Sequence, residues 1–191
     1  MHKRIVRRKI SEAQIKSLSG LPSILQRVYA ARNVQSLDDI DKSLRALLPY
    51  HDLSQIDLAA GRLAEAILQQ QSILVIGDFD ADGATSTALA VSALQSFGAK
   101  NVDFLVPNRF TFGYGLTPEI VDVAKTKSPN VIVTVDNGIA SIEGVARANL
   151  YGMDVVVTDH HLQGAQLPEA LAIVNPNRKE DGFQSKALAG V

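Results

Sequence analysis

Residues 72–83 read SILVIGDFDADG, a run rich in isoleucine and valine that stops at a glycine, followed by alternating aspartates that stop at a second glycine. The pattern D-x-D-x-D-G opens a calcium-binding EF-hand loop, whose twelfth position must carry a bidentate glutamate. Counted from Asp78, that position is Leu89, so the closing ligand is missing. An EF-hand also needs a helix upstream, whereas the apolar run at 72–77 has the length and β-branched content of a buried strand. The three aspartates Asp78, Asp80 and Asp82 therefore belong to a strand-to-helix turn.

From residue 71 onward the same rhythm repeats. Strands are expected at 73–77, 102–106, 131–135, 154–158 and 172–174, with helices near 83–97, 117–126 and 141–151, the last closed by Gly152. Strand alternating with helix predicts an α/β fold, a doubly wound and mostly parallel sheet with helices on both faces. The strand runs are continuously apolar, as burial on both faces requires. Before residue 71 the chain reads as a small helical segment spanning 1–70. The run LPSILQRVYAAR puts Leu21, Ile24, Leu25, Val28 and Tyr29 on one helical face, with Pro22 suited to a first turn. In SLDDIDKSLRALL, Ser36 and Asp39 form a capping-box-like pair ahead of a stripe of Leu37, Ile40, Leu44 and Leu47, and a third helix is expected from about 54 or 57 to 70.

Totals narrow the function classes. The chain has 191 residues, a formal net charge of -1 and no cysteine. Near-neutral charge gives no global attraction to nucleic acid or membrane, so any basic surface must be local. Without cysteine there are neither disulfides nor thiolate metal sites, which suits a reducing cytoplasm. No run approaches a membrane span, and MHKRIVRRKI lacks the apolar stretch of a signal peptide, so the reading is cytoplasmic. Lys3, Arg4, Arg7, Arg8 and Lys9 are candidates for phosphate contacts, against the plainer reading of a solvated terminus.

Ligands of open parallel sheets bind beyond the carboxyl ends of the strands. There the sequence delivers Asp78, Asp80 and Asp82 after the first strand, Asp136 in DNG after the third, and Asp159, His160 and His161 in DHH after the fourth. Any one of these reads equally well as a cap or a turn. Gathered at one rim, five carboxylates would repel each other unless cations neutralise them. Carboxylates with imidazole and no thiolate suit Mn2+ or Mg2+, with zinc still open. Two ions sharing a carboxylate would clamp both oxygens of a phosphoryl displacement by water, so the expected reaction is metal-assisted phosphoester hydrolysis.

DFDADG, VDNG and TDHH, in this order, resemble the first three motifs of the DHH phosphoesterase family. VPNRFTFGYGL and SKALAGV narrow the resemblance to its single-strand-specific DNA exonuclease branch, over most of residues 70–191. The resemblance implies 5′-to-3′ hydrolysis of single-stranded DNA in repair and recombination. It implies Asp80, Asp82, Asp136 and His160 as metal ligands, with Asp136 bridging two ions of Mn2+ or Mg2+. Asp159 would orient the His160 imidazole, His161 would stand near the scissile phosphate, and Arg109 would meet a DNA phosphate. Asp78 is a further candidate, with shaping the turn as its competing role. Phe110, Phe112 and Tyr114 are the candidates for stacking on bases, each also readable as core.

In the pyrophosphatase and short-oligonucleotide branches a histidine precedes the first ligand aspartate by four residues, where this chain has Ile76, which favours the exonuclease branch. The chain stops at Val191 inside an apolar segment, which reads as an amino-terminal fragment. On the resemblance, a later aspartate would complete the second metal site, and DHH-associated and OB-fold domains would hold the strand. A single-strand-binding protein and a helicase are the partners it suggests. The other readings are a family member acting on short oligonucleotides or cyclic dinucleotides, and a non-catalytic nucleotide-binding module.

Overall fold

The computed structural model describes residue 6, residues 8–41 and residues 43–191. Contacts divide the chain into two compact units, one up to Leu48 and one of Pro49–Val191.

In the first unit, α1 (Glu12–Lys16) begins at a full capping box between Ser11 and Gln14, and α2 covers Ser23–Ala30. The helix expected over SLDDIDKSLRALL does not form; two 3-10 turns, Asp38–Ile40 and Leu44–Ala46, stand in its place. Asp39 accepts from the main-chain N–H of Gln35 and Ser36, and Asp41 from that of Ser43. Such local bonds compete with the helical ladder. The expected stripe is not buried, with Leu44 and Leu47 among the exposed residues. Lys3, Arg4 and Arg7 lie outside the described residues; Arg8 donates to the Ala31 carbonyl at 2.8 Å.

The second unit is a five-stranded, all-parallel sheet: β1 (Ile73–Ile76), β2 (Val102–Leu105), β3 (Val131–Val135), β4 (Asp154–Thr158) and β5 (Ala172–Val174), in the order β2-β1-β3-β4-β5. Side chains alternate across β1. Ile73 and Val75 pack with Ala59 and Ala66 of α3 (Ile56–Leu68) and Leu94 of α4 (Ala81–Ser96). Leu74 and Ile76 pack on the opposite face with Ile120 and Val121 of α6 (Pro118–Lys125) and Val145 of α7 (Ile142–Leu150). A short α5, Arg109–Phe112, follows β2 and was not expected. The two central strands β1 and β3 are buried at every position, whereas β2, on the edge, exposes Asp103 and Phe104.

The change of rhythm at residue 71 is not where the contacts part. Helix α3 is part of the sheet's core, and its Arg62 meets Asp154 at the start of β4 at 2.7 Å. The helices cross from one side of β1 to the other between β2 and β3, so the switch point, where open sheets bind ligands, lies between β1 and β3.

Candidate metal centre

Asp136 occupies that switch point. It follows β3 with φ of 61°, a left-handed conformation uncommon for a residue with a side chain and often found at functional sites. Its carboxylate is buried, and among the described residues Oδ1 has no hydrogen-bond partner. Burial, then the nearby Asp80 charge, pushes its pKa up to about 6. Among the described residues two groups of three converge on it: Asp136, His160 and His161, and Asp78, Asp80 and Asp136, each with ligand atoms within 4.8 Å of one another. One carboxylate is thus common to two potential ligand sets.

The aspartates after β1 divide their labour. Asp80 is the N-cap of α4, its Oδ1 accepting from Gly83 N–H at 3.0 Å; that bond holds its pKa below the ordinary carboxylate value. Capping uses one oxygen; the other lies 3.9 Å from Arg109 Nη2, and the carboxylate still belongs to the group around Asp136, so the cap and ligand readings coexist. Asp82, in the first turn of α4, belongs to neither group; its Oδ2 accepts from Gly190 N–H at 3.2 Å. Asp78 is buried and binds Arg109 through both carboxylate oxygens. The turn is held tight by glycine: a β-carbon on Gly83 would overlap the Asp78 main chain, and one on Gly77 would overlap Thr87.

Arg109 opens α5. Its guanidinium stacks on Phe79 at 4.1 Å and on Tyr114 at 4.8 Å, and its side chain remains 34% exposed. Phe110 is almost fully exposed and Tyr114 partly so, but Phe112 packs into the core and is not available for stacking. The Tyr114 hydroxyl lies 3.3 Å from His161 Nε2, and burial with the charges of Asp159, Asp78 and Asp136 drives its pKa upward.

The DHH triplet corrects one expectation. Asp159 does not orient His160. Its Oδ1 accepts from the main-chain N–H of His160 and His161 and sits 2.8 Å from His161 Nδ1, while Oδ2 accepts from Ile139 N–H at 2.8 Å. A carboxylate only accepts, so His161 carries its proton on Nδ1 and turns the Nε2 lone pair to the Tyr114 hydroxyl, 3.3 Å away. Asp159 Oδ1 is already taken by three donors and Oδ2 is turned to Ile139 N–H, so the His160 ring finds its partner elsewhere, in Asp136, with Nε2 3.0 Å from Oδ1. Its Nδ1 lies 2.7 Å from the Leu188 carbonyl.

Asn175 and Asn177 were missed by the sequence reading. They follow β5 as DNG follows β3, and donate to the His161 and His160 carbonyls respectively. The rule that pointed to strand ends would have found them. Asn137 likewise donates to the Ile76 and Val135 carbonyls, tying β1 to β3 under the site.

Among the described residues the buried carboxylate oxygen Oδ1 of Asp136 has no hydrogen-bond donor and faces an imidazole nitrogen at 3.0 Å, two donor atoms that one cation would satisfy together. Oxygen donors with one or two imidazoles fit Mn2+ or Mg2+.

The family model described as "DHH family, N-terminal domain" matches residues 72–191. The chain is 50% identical over 188 residues to the single-stranded-DNA-specific exonuclease RecJ of Salmonella typhimurium, covering 98% of this chain and 33% of that protein. It is 52% identical over 171 residues to the protein of that name from Escherichia coli, covering 90% and 30%. A crystal structure of RecJ in complex with Mn2+ from Thermus thermophilus superposes with a TM-score of 0.68 at 30% identity, over 93% of this chain and 25% of that one. A crystal structure of exonuclease RecJ bound to manganese gives 0.67 at 35% identity, over 75% and 36%. The chain spans about a third of the length of the curated relatives it matches.

Proposed function

Because the chain belongs to the DHH family, we propose that it carries the metal-binding half of the active site of a single-stranded-DNA-specific exonuclease, hydrolysing phosphodiester bonds from the 5′ end. The observation that carries the reading is Asp136, a buried carboxylate shared by two ligand groups at the switch point. Asp80, Asp136 and His160 would hold Mn2+ or Mg2+, with Asp78 or Asp82 and His161 at the margins. When bound, the metal supplies Lewis-acid polarisation of the phosphate and a nucleophilic water at neutral pH.

The chain's own groups do the rest. His161, with Nδ1–H fixed by Asp159, keeps Nε2 free to take a proton, and in its doubly protonated form donates Nε2–H to a phosphate oxygen or leaving group. Asp78 engages Nε and Nη2 of Arg109, leaving the Nη1 edge for a DNA phosphate. Phe110 beside it offers a face for a base. A single-strand-binding protein or a helicase that exposes the strand end fits the same reading as the supplier of substrate. No helix among the described residues is long and apolar enough to cross a membrane.

The test is a nuclease assay on the chain extended to its relatives' length, with single strands labelled at either end. Mn2+-dependent release of the 5′ label, lost on chelation and lost in Asp136→Ala, is expected. Hydrolysis that survives Asp136→Ala would refute the assignment.

A further inference from the structure

The segment 187–191 crosses the face of the metal centre, and three separate observations locate what it does. The Leu188 carbonyl lies 2.7 Å from His160 Nδ1. Gly190 N–H donates to Asp82 Oδ2 at 3.2 Å. The Gly190 α-carbon is so close to Asp136 that a β-carbon there would overlap Oδ1, Cγ and Cβ of that carboxylate.

We propose that Leu188 and Gly190 are positioning residues of the metal centre: the Leu188 carbonyl selects the ring nitrogen with which His160 faces the metal, and Gly190 is the only residue type that lets the shared Asp136 carboxylate keep its place. This inference rests on the metal reading above.

The argument is one of donors and space. A carbonyl oxygen only accepts, so it requires the proton of His160 on Nδ1 and leaves Nε2, the nitrogen 3.0 Å from Asp136 Oδ1, with a lone pair for a cation. The selection is made by the main chain, so the side chain of Leu188, which is 37% exposed, is free to vary. At Gly190 the side chain is what matters. Its φ is not in the left-handed region, so glycine is not required there by backbone conformation, only by the approach of Asp136. Asn177, which donates to both the His160 and Lys186 carbonyls, ties the segment's base to the DHH turn and keeps the two in register.

The test uses the 191-residue chain and Gly190→Ala. Mn2+ titration by calorimetry is expected to show binding weakened about tenfold or more in the variant, the usual effect of disturbing groups behind metal ligands, with a cooperative urea transition in chelator showing that the variant is folded. Equal affinity would overturn the role of Gly190. In the second arm, 15N NMR of the His160 ring in chelator, assigned with His160→Gln, is expected to show a protonated Nδ1, and Gly190→Ala is expected to shift the ring signals as the neighbouring carboxylate moves. An unprotonated Nδ1, or ring signals indifferent to the substitution, would overturn the proposal. The NMR arm needs no metal, so failure of the unaltered chain to bind Mn2+ would refute the metal reading while the positioning roles are still decided.

Discussion

Asp136→Asn should make the metal-free chain more stable while abolishing its response to metal. The Asp136 carboxyl has its pKa raised from 3.8 to about 6, by burial first and by the Asp80 charge next. A raised carboxylate pKa means that the folded state holds the proton more tightly than the unfolded state. Stability is therefore lost as pH rises from about 4 through 6. About two pKa units at 1.36 kcal/mol each give an upper bound of about 3 kcal/mol at neutral pH. Asparagine removes the charge, can donate to the Asp80 carboxylate through its amide, and tolerates the left-handed backbone at φ 61°. Urea unfolding in chelator at pH 7.5 should show the substituted chain more stable by about 1–3 kcal/mol, with the difference shrinking toward pH 4.5. Saturating Mn2+ should reverse the order, adding about 4.1 kcal/mol to the unaltered chain at a thousand times Kd and nothing to the variant. A variant less stable than the parent at pH 7.5, or a difference that ignores pH, would refute the reasoning.

Mn2+ affinity should climb as pH rises from 5 to 7, because an ion must displace the Asp136 proton held with a pKa of about 6; calorimetry in two buffers of different ionisation enthalpy should register the released proton below pH 6. Asp159→Ala strands the N–H groups of Ile139, His160 and His161 and should lower stability by about 3 kcal/mol in urea unfolding. Glycine substitutions in two helices should have opposite signs. Gly61→Ala, with nothing within 4 Å of the added carbon inside α3, should stabilise by about 0.5–1 kcal/mol, whereas Gly83→Ala should cost about 2 kcal/mol or more by forcing α4 away from Asp78, both read from denaturant midpoints.

Much of the fold was legible because its causes are local. Short, mostly apolar runs rich in valine and isoleucine mark buried strands, and strands β3, β4 and β5 lie at their expected positions. Misreadings arose where local signals competed or were weak. The stripe Leu37, Ile40, Leu44 and Leu47 has helical spacing, but Asp39 and Asp41 capture the main-chain N–H groups a helix would have used. Helix α3 was grouped with the helices before it because pattern shows that a helix has an apolar face and not which surface will cover it; here the sheet covers it.

By itself the sequence determined the α/β alternation and the delivery of Asp78, Asp80, Asp82, Asp136, Asp159, His160 and His161 to strand ends, since both follow from the residues flanking each strand. Only the tertiary structure decided the pairings: Asp78 with Arg109, Asp159 with His161, His160 with Asp136 and Leu188, and Gly190 against Asp82 and Asp136. The physical reason is that periodicity records which face of an element is buried, a property of a few neighbouring residues. Which carboxylate meets which ring depends on strand order, on the turn taken by each side chain, and on contacts such as that between Asp82 and Gly190, which are 108 residues apart in the chain.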